Sequence, residues 1–226
     1  MENQIEAQAL LIQPDLLAPF NLGDTNIHWV ASDGNPTSTG ASITGNASFN
    51  NTDEGVNLTP ATNATSGYLY WSKNYDYKNS IIFTLPAKSG AGTGADGMTV
   101  FFGASSPANN NNAYGNIAVY FDEYGSDDTI RIYKNGVQQG VDYKAYKTLD
   151  DNTYNNYQIV YQYLDSSNSY LYVLMNGNYV AKINIGSWTP AGNLIGVSAW
   201  CGSQNNVHSV KSFSAKTAKP WLSFNL

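Results

Sequence analysis

Two Asn-Gly pairs, Asn135-Gly136 and Asn176-Gly177, constrain this chain more than any other feature of its sequence. Both residues of such a pair tolerate positive φ, so the backbone can form the two-residue turn whose twist matches that of paired strands. Ile130 to Tyr133 leads into the first pair and Val137 follows it, while Tyr170 to Met175 and Tyr179 to Ile185 flank the second. Upstream, Tyr157 to Tyr163 alternates Ile159, Tyr161 and Tyr163 against Gln158, Val160 and Gln162, and Asp165 to Asn168 turns it into the Tyr170 run. Successive tight turns make a meander, and a meander pairs its strands antiparallel.

Further β-rich runs occur at Tyr68 to Trp71, Ser80 to Leu85 (bounded by Pro86), Met98 to Phe102, Ile117 to Phe121, Ile195 to Trp200 and Val207 to Phe213. From Phe20 to Thr65 the chain is rich in Gly, Ser, Thr and Asn. Its apolar islands at Ile27–Val30 and Val56–Leu58 read as short strands between long loops. Residues 1–20 read as an N-terminal arm broken by Pro14 and Pro19, and beyond it no stretch has a helical period. Residues 21–226 show neither a repeat nor a shift in composition, so they are predicted to form one domain. Only 12% of the residues are charged and 17 are Tyr, the opposite of a disordered composition. Together these features predict an all-β fold, an antiparallel two-sheet β-sandwich.

Composition also excludes partners. The net charge is −6 and the 11 Lys and Arg are scattered, so no basic stripe exists for nucleic acid or an anionic membrane. No run approaches the length of a membrane span, so no membrane insertion is expected. Cys201 is the single cysteine and has no internal disulfide partner; it is expected to be a buried small apolar residue. Met1 to Phe20 carries Glu2 and Glu6 and no basic segment, unlike an ordinary signal peptide. The expectation is an intracellular or particle-surface protein, or an extracellular one if the chain is a processed fragment. The sequons at Asn46, Asn50, Asn57 and Asn63 then read as by-products of an Asn- and Thr-rich segment.

Four motifs occur in a recognisable order: Gly55-Val56-Asn57-Leu58-Thr59-Pro60, Ala95-Asp96-Gly97-Met98-Thr99-Val100-Phe101-Phe102, Ile117-Ala118-Val119-Tyr120-Phe121-Asp122-Glu123-Tyr124, and Ile195-Gly196-Val197-Ser198-Ala199 with His208 and Ser212-Phe213-Ser214. In this order the chain resembles the L-type (legume-like) lectin domains of the concanavalin A-like superfamily over residues 20–214. The resemblance implies a jelly-roll sandwich that binds glycans or glycoproteins. It implies that Asp96 is the carboxylate accepting sugar hydroxyls, with a cis Ala95-Asp96 bond before it. Gly115 or Gly103 would offer a backbone amide, Tyr124 a stacking ring, and Ser126, Ser203 and Gln204 further contacts. It also implies a calcium ion held by Asp122, the Tyr124 carbonyl, Ser126 (where the family has Asn), Asp127 and Asp128, with Glu123 adding to the local acidity. No manganese is expected, because Tyr120 stands where the family's transition-metal site has Glu. Domains of this kind can associate through a flat sheet face, so a homo-oligomer or a larger particle is compatible with the fold.

A catalytic reading finds little support. Sandwich glycosidases place two carboxyls on one strand face, whereas the neighbours Asp122 and Glu123 point to opposite faces. No G-x-S-x-G, H-E-x-x-H, P-loop or Rossmann signature occurs, and His28 and His208 read as structural. The competing expectation to a non-catalytic lectin is a structural or host-attachment domain of a virus or phage particle that has lost sugar binding.

Overall fold

The computed structural model describes residues 22–107, 116–125 and 128–218; the expected arm, residues 1–20, lies outside them. The described chain runs through β1 (Leu22–Val30), β2 (Ala41–Gly45), β3 (Ser48–Asn51), β4 (Gly55–Thr59), β5 (Thr65–Ser72) and β6 (Ser80–Gly90). It continues through β7 (Gly97–Ala104), β8 (Ile117–Asp122), β9 (Thr129–Lys134), β10 (Val137–Lys144) and β11 (Asn155–Tyr163). The series closes with β12 (Ser169–Met175), β13 (Asn178–Asn184), β14 (Leu194–Cys201), β15 (Val207–Val210) and β16 (Ser212–Ala218). Two 3-10 turns, Ala31–Asp33 and Pro36–Thr39, are the only helical elements among the described residues.

The strands form two antiparallel sheets. One has the order β13-β12-β11-β6-β15-β4-β3, with β16 on β6 and β1 on β16; the other runs β10-β9-β8-β7-β14-β5-β2. Both Asn-Gly turns form as expected: Asn135 and Gly136 have φ of 53° and 76°, Asn176 and Gly177 of 50° and 78°. The 80–85 run, however, does not stop at Pro86. β6 continues to Gly90 because its partner changes there: β16 pairs as far as Thr84 and β15 begins opposite Ala87. The missing proline N–H falls at that junction, where the Pro86 carbonyl accepts from the Lys211 amide instead.

Alternation decides which side chains fill the space between the sheets. β5 alternates buried and half-buried residues, with Leu69 and Trp71 inward. Trp71 stacks on Phe213 with ring centroids 5.1 Å apart, and Phe83 stacks on Phe102 at 4.7 Å, so rings from both sheets meet at the centre. On the opposite face of the seven-stranded sheet, Phe101, Ala104, Ala118, Tyr120 and Tyr133 make a second, smaller cluster. The 20-odd Å of β7 therefore separates two ends of the sandwich, and the chemistry gathers at the end marked by Gly97.

Candidate functional site

The register of β7 and β8 makes the site. Gly97 pairs with Asp122, which places the residue before β7 beside the residue after β8. The Glu123 amide donates to the Asp96 carbonyl at 3.0 Å, and the Asp96 amide donates to the Trp200 carbonyl at 3.0 Å. Asp96 and Asp122, distant in sequence, thus converge on one rim. The Ala95-Asp96 peptide bond is cis, as the resemblance implied.

Three loops wall this rim. The carbonyl of Asn205 accepts from the amides of Thr93 and Gly94 at 2.7 and 3.2 Å, and the Asn205 amide donates to Thr93 Oγ1 at 3.1 Å. With its amide nitrogen turned toward them, Gln204 donates to the Thr93 and Gly94 carbonyls, each at 2.7 Å. Asn63 Nδ2 donates to the Ser203 carbonyl at 2.9 Å, Asn63 Oδ1 accepts from Asn205 Nδ2 at 2.6 Å, and the Ala64 amide donates to the Gly202 carbonyl at 2.9 Å. The β4–β5, β6–β7 and β14–β15 connections are in this way tied to one another. Glycine is required at Gly92, where a Cβ would sit 2.0 Å from the Asn205 carbonyl oxygen.

Asp96 is partly buried, and its Oδ2 is enclosed without a hydrogen-bond partner. Desolvation holds its carboxyl above the ordinary aspartate value; the Gly202 amide opposes this, while Asp122 and Glu123 reinforce it. Tyr124 follows directly after Glu123 and is 55% exposed, the one large ring presented to solvent in this turn. Asp128 and Asp150 are also pushed up, first by burial and then by neighbouring carboxylates. The rim is acidic and half-desolvated.

Asp122 and Glu123 face opposite ways, as strand alternation requires. Asp122 turns outward: Oδ1 accepts from the Tyr124 amide at 3.1 Å and the Tyr120 hydroxyl at 3.3 Å, and Oδ2 lies 2.6 Å from Arg131 Nη1. Glu123 turns inward. Its Oε2 accepts from Ser89 Oγ, from Asn206 Nδ2 at 3.2 Å and from His208 Nε2 at 3.1 Å, all buried. His208 Nδ1 in turn lies 2.6 Å from Thr59 Oγ1. Burial pushes the imidazole down, but the charge and hydrogen bond of Glu123 outweigh it and raise His208 to about 9. His208 is therefore structural, as expected, and belongs to an ion pair that bolts the two sheets together behind the rim.

Several expectations are corrected by this geometry. Glu123 is turned into the interior, away from an outward-facing cation site, with its Oε2 held by His208. Gly103 supplies no amide to the rim: it lies six residues along β7 from Gly97, and its carbonyl accepts from Ala191 and Gly192 at the far end. Gly115, Ser126 and Asp127 lie outside the described residues. Asp96, Asp122, Tyr124, Asp128, Ser203 and Gln204 are all brought to one end. Of the expected calcium donors, Ser126 and Asp127 lie outside the described residues; of the rest, Asp122 is paired with Arg131 and Asp128 Oδ2 accepts from the Leu149 amide at 2.7 Å, and among the described residues no group of three His, Cys, Asp or Glu could hold a metal. Arg131 and Asp150 were not singled out from sequence, and Asn63 was read there only as a sequon. The one local signal was the turn-like acidic run Leu149-Asp150-Asp151-Asn152.

By fold the chain is a concanavalin A-like β-sandwich. It is similar to the carbohydrate recognition domain of Emp47p, with a TM-score of 0.68 and 16% identity over 87% of this chain and 97% of that one. It is also similar to the Ca2+-bound exoplasmic/lumenal domain of VIP36 (TM-score 0.64, 15% identity, 86% and 95% covered). A third is the lectin from Bauhinia forficata in complex with GalNAc (0.61, 17%, 85% and 98%). No family model matches the chain, and no curated protein matches it by sequence. Among the described residues no helix is long and apolar enough to cross a membrane.

Proposed function

We propose that this domain is a non-catalytic lectin that binds a glycan or glycoprotein sugar at the rim built around Asp96. The observation that carries the reading is the unpartnered, desolvated acceptor of Asp96, enclosed by three mutually tied loops beside an exposed tyrosine. A sugar offers hydroxyl donors along its edge and an apolar C–H face. A carboxylate accepting two hydroxyl protons makes charge-assisted hydrogen bonds with the first, and an aromatic ring covers the second. Asp96 and Tyr124 fill those two roles, while Ser203, Gln204, Gly115 and Ser126 are the remaining candidates for contact. Mannose-containing ligands in structures of VIP36 and GalNAc in the Bauhinia lectin give the first sugars to try. Asp122 is held by Arg131 and Glu123 by His208, so this neighbouring pair does not present an acid and a base to one bond.

A glycan array probed with wild type and Asp96→Ala tests the reading. Wild type is expected to retain a defined set of glycans, and the variant to lose them while keeping its melting temperature. Equal binding by both, or none by either, favours a structural or host-attachment module that no longer reads sugars.

A further inference from the structure

The lectin resemblance calls for a hard cation against Asp122, and the structure puts a guanidinium there. β8 and β9 pair with Tyr120 opposite Arg131, so both side chains share the outward face with Asp122. Arg131 Nη1 meets Asp122 Oδ2 at 2.6 Å and Nε meets Asp142 Oδ2 at 2.9 Å, while Gln138 Nε2 holds the other Asp142 oxygen at 2.7 Å. The planar fork is thereby fixed at both ends, a geometry that a flexible point charge does not reproduce. The Tyr120 hydroxyl donates to the Asp96 carbonyl at 2.8 Å and faces Asp122 Oδ1, joining the two acidic segments directly. Calcium needs six to eight oxygens. To reach Asp122 it would have to displace a paired cation that repels it.

We propose that Arg131 is the resident cation of this rim: with Tyr120 as its bridge to Asp96, it performs the positioning task that a divalent metal performs in calcium-dependent lectins, and the site is organised without metal. Arg131 is a positioning residue; it fixes Asp122, and through Asp122 and Tyr120 the turn that holds Asp96. Tyr120, standing where the resemblance places Glu, and Arg131, paired opposite it, then act as one unit. Only the glycan-binding arm of the test rests on the proposed function.

The experiment compares the full chain and Arg131→Gln by calorimetric melting in chelator and in millimolar calcium chloride, with a direct calcium titration of wild type. Wild type is expected to melt at the same temperature in both buffers and to show no saturable calcium heat, whereas Arg131→Gln melts lower in both. A calcium-induced rise in wild type above about 2 °C, a saturable calcium isotherm, or an unchanged melting temperature for Arg131→Gln would each overturn the proposal. Should Arg131→Gln fail to fold, the wild-type calcium measurements still decide. In the binding arm, wild type is expected to keep its glycan affinity in chelator, Arg131→Gln to lose about tenfold or more, and Arg131→Lys to recover part of it. Loss of wild-type binding in chelator overturns the proposal. A wild type that binds no glycan in any buffer refutes the lectin reading and leaves the stability results to decide this one.

Discussion

At the scale of single residues, burial sets the chemistry of this rim. His208 is fully enclosed, so its charge persists only because Glu123 lies 3.1 Å away. Removing one partner strands the other, and His208→Gln is expected to cost about 3–5 kcal/mol in denaturant unfolding, with part recovered in the Glu123→Gln/His208→Gln double variant. The pH dependence follows from the direction of the shift. The folded pKa, about 9, lies above the ordinary histidine value of 6.5, so the pair's contribution is complete below the latter and is lost as pH rises through the former. The stability gap between wild type and His208→Gln should therefore narrow on alkalinisation. Asp96 runs the other way in function. Desolvation raises its carboxyl, so it takes up a proton at a pH above the ordinary aspartate range, and glycan affinity is expected to fall there on acidification. Binding curves measured against pH, with Asp96→Asn as a titration-free reference, would show this. These roles were unevenly legible in the sequence. Asp96 and Asp122 stand in motifs read directly from the chain, whereas Arg131 and His208 find their partners across strands and across sheets, through registers that no local pattern specifies.

At the scale of elements, the rim is a property of connections. Gly92 shows how tightly they are drawn, since any side chain there meets the Asn205 carbonyl. Gly92→Ala is expected to part the two loops, weakening glycan binding about tenfold while lowering the melting temperature by only a few degrees; titration and calorimetry on the same sample separate the two effects. The strands themselves were read from alternation and turn chemistry, which found the meander and both Asn-Gly hairpins. They did not find β2 and β3, whose Ser, Thr and Asn side chains stay largely exposed at sheet edges and carry little hydrophobic signal. They also ended β6 five residues early, because a proline stops a strand only where its missing N–H has a partner to disappoint.

At the scale of the whole molecule, stability rests on rings contributed by both sheets. Trp71 is fully buried and stacked on Phe213, so Trp71→Ala is expected to cost about 3–5 kcal/mol in chemical denaturation. Sandwich architecture was legible because the order of motifs and the frequency of turns leave few other ways to bury such a chain. Which end would gather the polar residues followed only from the pairing of Gly97 with Asp122. The outermost strand of the seven-stranded sheet adds a consequence of its own. Pairing of β10 with β9 is interrupted between Gln139 and Tyr143, and it is there that Asp142 swings across to Arg131. A bulge in a terminal strand twists its open row of amides and carbonyls out of line. A neighbouring molecule then finds no straight template to extend, so contact between copies on this side would have to be made face to face.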